Sequence, residues 1–335
     1  MSEMMAPAFP PGYVRFDDVR ESLPELTSVR VSESVELETL HLSGPGPAIV
    51  FVHGGLGSLW NPYPQLAAFE GNHELVTYAL AGNGNSTTRP EQSLAGHVSD
   101  LQSLLDELDV TNPIVHGHSY GTAVAIEYAK RHPTAGLVLH AGGDHDLTPA
   151  WEKPLLRLFL ALRLYHIPTN DALVRQLAYS VGFHEETSEA VVEDFLQSNP
   201  LPHRRSAWTT VTEAFWGYDG RTDIERVGVP TLVIHGPADG IVPVEVARGT
   251  ASRIPGSVFC QVQRTGHVAM IERPSAYNSL LEALVETIRD DRDLETAVRE
   301  SIDGKHSSNV PDDRNSCCSN RCTTPPTPAV VAPNR

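Results

Sequence analysis

Gly117-His118-Ser119-Tyr120-Gly121 follows the apolar run Pro113-Ile114-Val115 and leads into Ala123, Val124, Ala125 and Ile126. A short apolar run followed by a glycine-flanked serine and a run of small residues reads as strand, sharp turn and helix, with the serine at the apex. A strained turn that exposes a hydroxyl crowds the backbone on both sides, so glycine is wanted two residues before and two after. Alone, the pentapeptide is weak evidence: a chain of 335 residues carries G-x-S-x-G by chance about once in ten. Its partners elsewhere in the chain have to decide.

Downstream, Pro230-Thr231-Leu232-Val233-Ile234-His235 reads as a buried strand that runs through Gly236-Pro237-Ala238 into Asp239. Another apolar run, Val258-Phe259-Cys260-Gln261-Val262, precedes Gly266-His267-Val268. Upstream, the strand-like Ala48-Ile49-Val50-Phe51-Val52 ends in His53-Gly54-Gly55-Leu56-Gly57. The chain order serine, aspartate, histidine differs from that of the chymotrypsin and subtilisin types.

With these motifs the chain resembles the α/β-hydrolase superfamily over roughly residues 25–290. The resemblance implies Ser119 as nucleophile, His267 as general base and Asp239 as the carboxylate that orients the imidazole. It also implies an oxyanion hole from the backbone amides of Gly55 and Tyr120, with Leu56 as a further candidate donor. The run His53–Gly57 is similar to the His-Gly-Gly-Pro-Gly of proline iminopeptidases, with Leu56 in place of the proline. An Asp-x-Arg-Gly-x-Gly-x-Ser-like segment of related hydrolases reads here Ala79-Leu80-Ala81-Gly82-Asn83-Gly84-Asn85-Ser86, which keeps the glycines and the serine and loses both charges.

The chemistry asks for these residue types. A serine hydroxyl is a poor nucleophile at neutral pH unless a base within hydrogen-bond reach takes its proton. An imidazole, titrating near 6.5, can take that proton and return it to a leaving group. A carboxylate on the other ring nitrogen fixes the tautomer. For the acid, Asp144 and Asp146, after the apolar run at 137–140, stand as alternatives to Asp239. His53, His116, His118, His140 and His235 also lie near strand ends, but on separate strands and without tight metal-ligand spacing, so neither metal nor cofactor is expected.

The rest of the chain sets the architecture. Val29, Val31, Val35, Leu37 and Leu40 alternate with mostly polar residues, as in solvated antiparallel strands. The runs near 48–53, 75–80, 113–117, 137–140, 230–235 and 257–263 are continuously apolar, as strands covered on both faces are. Between them, 94–108 and 274–288 place leucines at helical spacing, and the second is expected to be the last core helix. The expected fold is α/β, a doubly wound, mostly parallel sheet of the α/β-hydrolase type with a helical cap insertion. Its core covers 25–143 and 222–290, behind an N-terminal extension at 1–24. The cap occupies 144–221, with helices at 154–165, 171–181 and 187–197 and aromatics including Trp151, Phe159, Phe183, Trp208 and Phe215. The stretch 291–335 is expected to be disordered, because Ser, Asn, Pro and Thr dominate 303–335. Cys317, Cys318 and Cys322 in it have no second Cys/His pair at zinc-site spacing.

A net charge of −17 argues against nucleic acid and anionic membrane as partners. No run approaches the roughly 18 apolar residues of a membrane span, and the first residues lack a secretory pattern, so a cytoplasmic location is expected. The partner expected is a small-molecule substrate: a mostly apolar ester, thioester or lactone. Carbon–carbon bond hydrolases, amidases, iminopeptidases and hydroxynitrile lyases use the same serine arrangement and stay open, as does a ligand-binding protein on this scaffold. Oligomeric state is not encoded legibly.

Overall fold

The computed structural model describes residues 9–89, 91–166 and 171–303. The chain runs α1 (Phe16–Ser22), β1 (Thr27–Arg30), β2 (Glu36–Leu42), β3 (Gly46–Val52), α2 (Tyr63–Phe69), β4 (His73–Tyr78), α3 (Leu94–Glu107), β5 (Ile114–His118), α4 (Tyr120–Ala129) and β6 (Gly136–His140). It continues through α5 (Glu152–Ala161), α6 (Asp171–Val181), α7 (Glu189–Ser198), α8 (Arg205–Thr209), β7 (Thr231–His235), α9 (Val244–Arg253), β8 (Val258–Gln261), α10 (Ala269–Glu272), α11 (Pro274–Asp290) and α12 (Leu294–Asp303).

The eight strands form one sheet in the order β1-β2-β4-β3-β5-β6-β7-β8. Pairings from β4 to β8 are parallel, while β2 runs antiparallel to both β1 and β4. The continuous apolar runs have the expected cause: alternate residues of each strand feed two different cores. On β3, Ile49 and Phe51 pack with α1, α2, α11 and α12, and Val50 and Val52 pack with α3, α4 and α9. Parallel pairing aligns the C-terminal ends of β3 to β8 along one edge, where open α/β sheets carry their ligand crevice. Gly54, Ser119, Asp239 and His267 all follow those ends.

Helix α12 corrects the expected boundary of the tail. Residues 291–303 were expected to be disordered, yet Leu294, Ala297 and Val298 are buried in the same core as α11, with Ile302 packed beside them. Spacings of three and four put these side chains on one helical face, a short pattern that the polar residues around it concealed. Helix α11 is therefore not the last core helix. The expectation of disorder for 304–335, with its three cysteines, lies outside the described residues.

The segment 9–24 is bound to the fold. Phe16, Val19 and Leu23 are buried, and Asp194 on α7 accepts hydrogen bonds from Tyr13 Oη (2.8 Å), Phe16 N (2.9 Å) and Tyr63 Oη (3.1 Å).

Between β6 and β7 the described residues form helices α5 to α8 and no strand. This insertion lies over the loops at the C-terminal edge of the sheet. Ser206 Oγ donates to Gly82 O (2.7 Å) after β4, and Ser58 Oγ after β3 donates to Ser198 O (2.8 Å). Its aromatics mostly pack on one another: Phe159 on Trp208 at 4.8 Å and Phe183 on Phe195 at 5.3 Å between ring centroids. Phe215 instead meets Tyr120, the residue after Ser119, edge-on at 5.8 Å. Among the described residues no helix is long and apolar enough to cross a membrane.

Candidate active site

Ser119 joins β5 to α4 with φ 52° and ψ −118°, a conformation that non-glycine residues avoid at a cost of about 1–3 kcal/mol. The surroundings hold it there: Ser119 N donates to His140 O (2.8 Å), and Thr122 returns its own N–H (2.9 Å) and hydroxyl (2.7 Å) to Ser119 O. The glycine pair has a steric cause. A Cβ on Gly117 would overlap the carbonyl of Gly121, and one on Gly121 would overlap the carbonyl of Val52, so α4 starts directly against β3 and β5. Gly121→Ala is accordingly expected to destabilise the fold by about 1–3 kcal/mol, read as a lower urea midpoint; an unchanged midpoint would remove the steric account of the motif.

Asp239 and His267 meet across the loops that follow β7 and β8. His267 Nδ1 lies 2.8 Å from Asp239 Oδ2, with the aspartate side chain fully buried and the imidazole 8 % exposed. The other carboxylate oxygen accepts the amides of Ile241 (2.8 Å) and Val242 (2.9 Å). Burial by itself raises the Asp239 pKa; the facing His267, the hydrogen bond to it and the Val242 amide outweigh burial and bring the carboxyl below its ordinary value. An ionised acceptor at Nδ1 makes that nitrogen the donor and leaves Nε2 as the basic atom.

Ser119 approaches this pair through its neighbour. His118 Nε2 donates to the backbone carbonyl of His267 (3.0 Å), and the two imidazoles lie 4.9 Å apart. Among the described residues no hydrogen bond joins Ser119 Oγ to His267. On the other side of the serine, a Cβ on Gly54 would come within 2.9 Å of Ser119 Cβ, so the loop after β3 can lie this close only as glycine.

That loop is set by His53. Leu80 N donates to His53 Nε2 (3.0 Å), which leaves Nδ1 as the donor to Gly54 O (2.7 Å). Burial lowers the His53 pKa to about 4, so the ring stays neutral and keeps one acceptor and one donor. Gly57 N closes the turn on Gly54 O (3.1 Å), with Leu56 at φ 60°. The opposing amide, Tyr120 N, is the first of α4, and the first four amides of a helix have no intrahelical acceptor. The helix dipole adds partial positive charge there.

The structure separates the alternatives for the acid. Asp144 is buried against Arg253 Nη1 (2.7 Å) and His145 Nδ1 (2.8 Å), and Asp146 holds Lys153 (2.7 Å) and the amides of Thr148 and Gly217. Neither reaches His267. Of the remaining histidines, His116 Nε2 bonds Tyr277 Oη at 2.6 Å and His235 Nε2 donates to Val242 O at 2.9 Å, while neither ring nitrogen of buried His140 has a hydrogen-bond partner among the described residues. Sequence reasoning missed Asn61, which offers its amide to His118 Nδ1 at 3.4 Å, and Glu272, whose carboxylate accepts the amide of Gly266 at 2.6 Å. An asparagine in a loop and a glutamate in a helical run carry no pattern that marks them.

The family model described as alpha/beta hydrolase fold matches residues 47–274. An uncharacterised protein of Mycobacterium tuberculosis is 23% identical over 291 residues, covering 80% of this chain and 84% of its own length. A proline iminopeptidase of Xylella fastidiosa is 24% identical over 243 residues, covering 60% of this chain and 77% of its own. The structure of a thermophilic esterase from Thermogutta terrifontis superposes with a TM-score of 0.70 at 21% identity, covering 79% of this chain and 99% of that one. Sheet order, the serine turn and a family match that spans most of the chain agree: the protein belongs to the alpha/beta hydrolase fold family.

Proposed function

We propose that the protein is a serine hydrolase that cleaves a carboxylic ester, thioester or lactone of a mostly apolar small molecule through an acyl-enzyme on Ser119. The observation that carries this reading is the buried 2.8 Å hydrogen bond between Asp239 and His267 beside a serine held at positive φ. Ser119 Oγ attacks the acyl carbon as His267 Nε2 takes its proton, and Asp239 stabilises the imidazolium. The tetrahedral oxyanion accepts the amides of Tyr120 and Gly55, with Leu56 as a further donor; losing one such donor typically costs about 2.7–4 kcal/mol of barrier stabilisation. Collapse expels the alkoxide or thiolate, which takes the proton from His267. Water, deprotonated by the same imidazole, then releases the acid. No metal or cofactor takes part in this scheme. The insertion at 144–221 serves as the cap, and its Phe215 packs edge-on against Tyr120, the residue after Ser119.

Similarity to a proline iminopeptidase favours a second reading, cleavage of an N-terminal proline amide. Parallel assays with p-nitrophenyl butyrate and prolyl p-nitroanilide separate the two. The ester is expected to turn over, to lose at least about 10³-fold in His267→Ala, and to exceed the amide in kcat/KM. Turnover of the anilide alone would replace the esterase reading. Tight binding of ligands without turnover of either substrate would point to a binding protein.

A further inference from the structure

Glu272 closes α10, five residues after His267, and is 3 % exposed. Each of its contacts is a donor. Oε2 accepts Gly266 N at 2.6 Å, from the residue before His267, and Oε1 accepts His184 N and Thr187 Oγ1, both at 2.7 Å, from the segment that joins α6 to α7 in the insertion. A carboxylate that only capped its own turn would need the first bond and not the other two. The same stretch of the insertion is fixed to both candidate loops by its backbone: Gly182 O accepts His267 N (2.8 Å) and Val181 O accepts Gly240 N (3.0 Å), next to Asp239. Gly266 has to be glycine here, because a Cβ would meet the carbonyl of Gly182. Residues 181–187, the His267 loop and the Asp239 loop thus form one hydrogen-bonded unit with Glu272 between its parts.

We propose that Glu272 is a positioning residue that ties the 184–187 segment of the insertion to the His267 loop and so sets where the imidazole stands relative to Ser119. The inference rests on the serine-hydrolase reading above. It predicts that damage on the insertion side of Glu272, which touches none of the reacting groups, slows acyl transfer. Burial raises the Glu272 carboxyl to about 7 against the opposing pull of its three donors and Arg273, so assays at pH 8 read the ionised, accepting form.

The test measures kcat and KM for p-nitrophenyl butyrate at pH 8 in Glu272→Gln and in Thr187→Val, each alone and combined with His267→Ala. Glutamine keeps the shape but turns one acceptor into a donor that faces a donor; valine removes the insertion-side hydroxyl and keeps the Gly266 bond. Glu272→Gln is expected to lower kcat about tenfold and Thr187→Val a few-fold, with KM unchanged and no further loss in the His267→Ala background. Wild-type kcat in either folded variant, or the same fractional loss with and without His267, would overturn the positioning role. Should Glu272→Gln not fold, Thr187→Val decides by the same criteria. If the wild type itself turns over no ester, the serine-hydrolase reading falls and this inference with it; if the wild type is active and either folded variant matches it, this inference alone falls.

Discussion

Ser119→Ala is expected to lower kcat for ester hydrolysis by about 10⁴- to 10⁶-fold and to leave thermal unfolding within a degree or two of wild type. The two parts belong together. Alanine keeps the Cβ that sits against Gly54 and keeps the backbone bonds that hold residue 119 at φ 52°, so the turn, the start of α4 and the Tyr120 amide are all retained. Only the hydroxyl is lost, and the described residues give it no structural partner to leave unpaired. A large loss of activity in a fully stable protein would therefore be chemical. Hydrolysis within tenfold of wild type would mean that another group attacks the carbonyl.

Stability is expected to start falling on acidification near pH 6.5, above the range in which most carboxylates titrate. His53, His97 and His116 are fully buried, and burial lowers their pKa values to about 4, 3 and 4 from an ordinary 6.5. His118 and His140 are pushed well below it, and His235 is lowered, again mainly by burial. The unfolded chain takes up protons near pH 6.5 and the folded chain does not, so stability present above 6.5 is lost as the pH falls towards the folded values. By pH 4 each of the first three groups costs about 3 kcal/mol. Asp100 and Glu272 act oppositely: burial raises them to about 6 and about 7, and each returns about 2–3 kcal/mol on acidification. The net loss is at least about 4 kcal/mol between pH 7 and pH 4, against a typical total of 5–15 kcal/mol. Urea midpoints measured across that range should fall steeply below pH 6.5. His140, with both ring nitrogens buried and unpartnered among the described residues, gives a sharper test: His140→Phe is expected to flatten the acid limb. A midpoint that stays flat to pH 4 would contradict the histidine account.

The parts of the fold that could be read in advance were those that repeat a simple period. Continuous apolar runs marked the parallel strands because both sheet faces are covered, and the alternation at 29–42 marked β1 and β2 because that edge is partly exposed. Helix α12 was not legible, since three buried positions in a charged decapeptide carry little signal. Helix α5 shows the converse limit: Leu155, Leu158 and Leu162 have core-like spacing yet are 54–60 % exposed, because periodicity identifies a helical face without saying what that face meets. At the site, the glycine-flanked serine, the Gly54–Gly57 run and the aspartate and histidine after their strands were legible because each follows a strand end in a fixed chain order. His53, Asn61, His118 and Glu272 act by hydrogen bonds to groups far away in sequence, on Leu80, His118, His267 and His184 respectively, and no local pattern encodes such a bond.

The central claim is that Ser119 is a nucleophile activated by His267. Incubation of the intact protein with a fluorophosphonate, followed by peptide mass spectrometry, tests it most directly. A single adduct on Ser119 that is absent from His267→Ala is the expected result, and no adduct, or an adduct elsewhere that persists in Ser119→Ala, would contradict it.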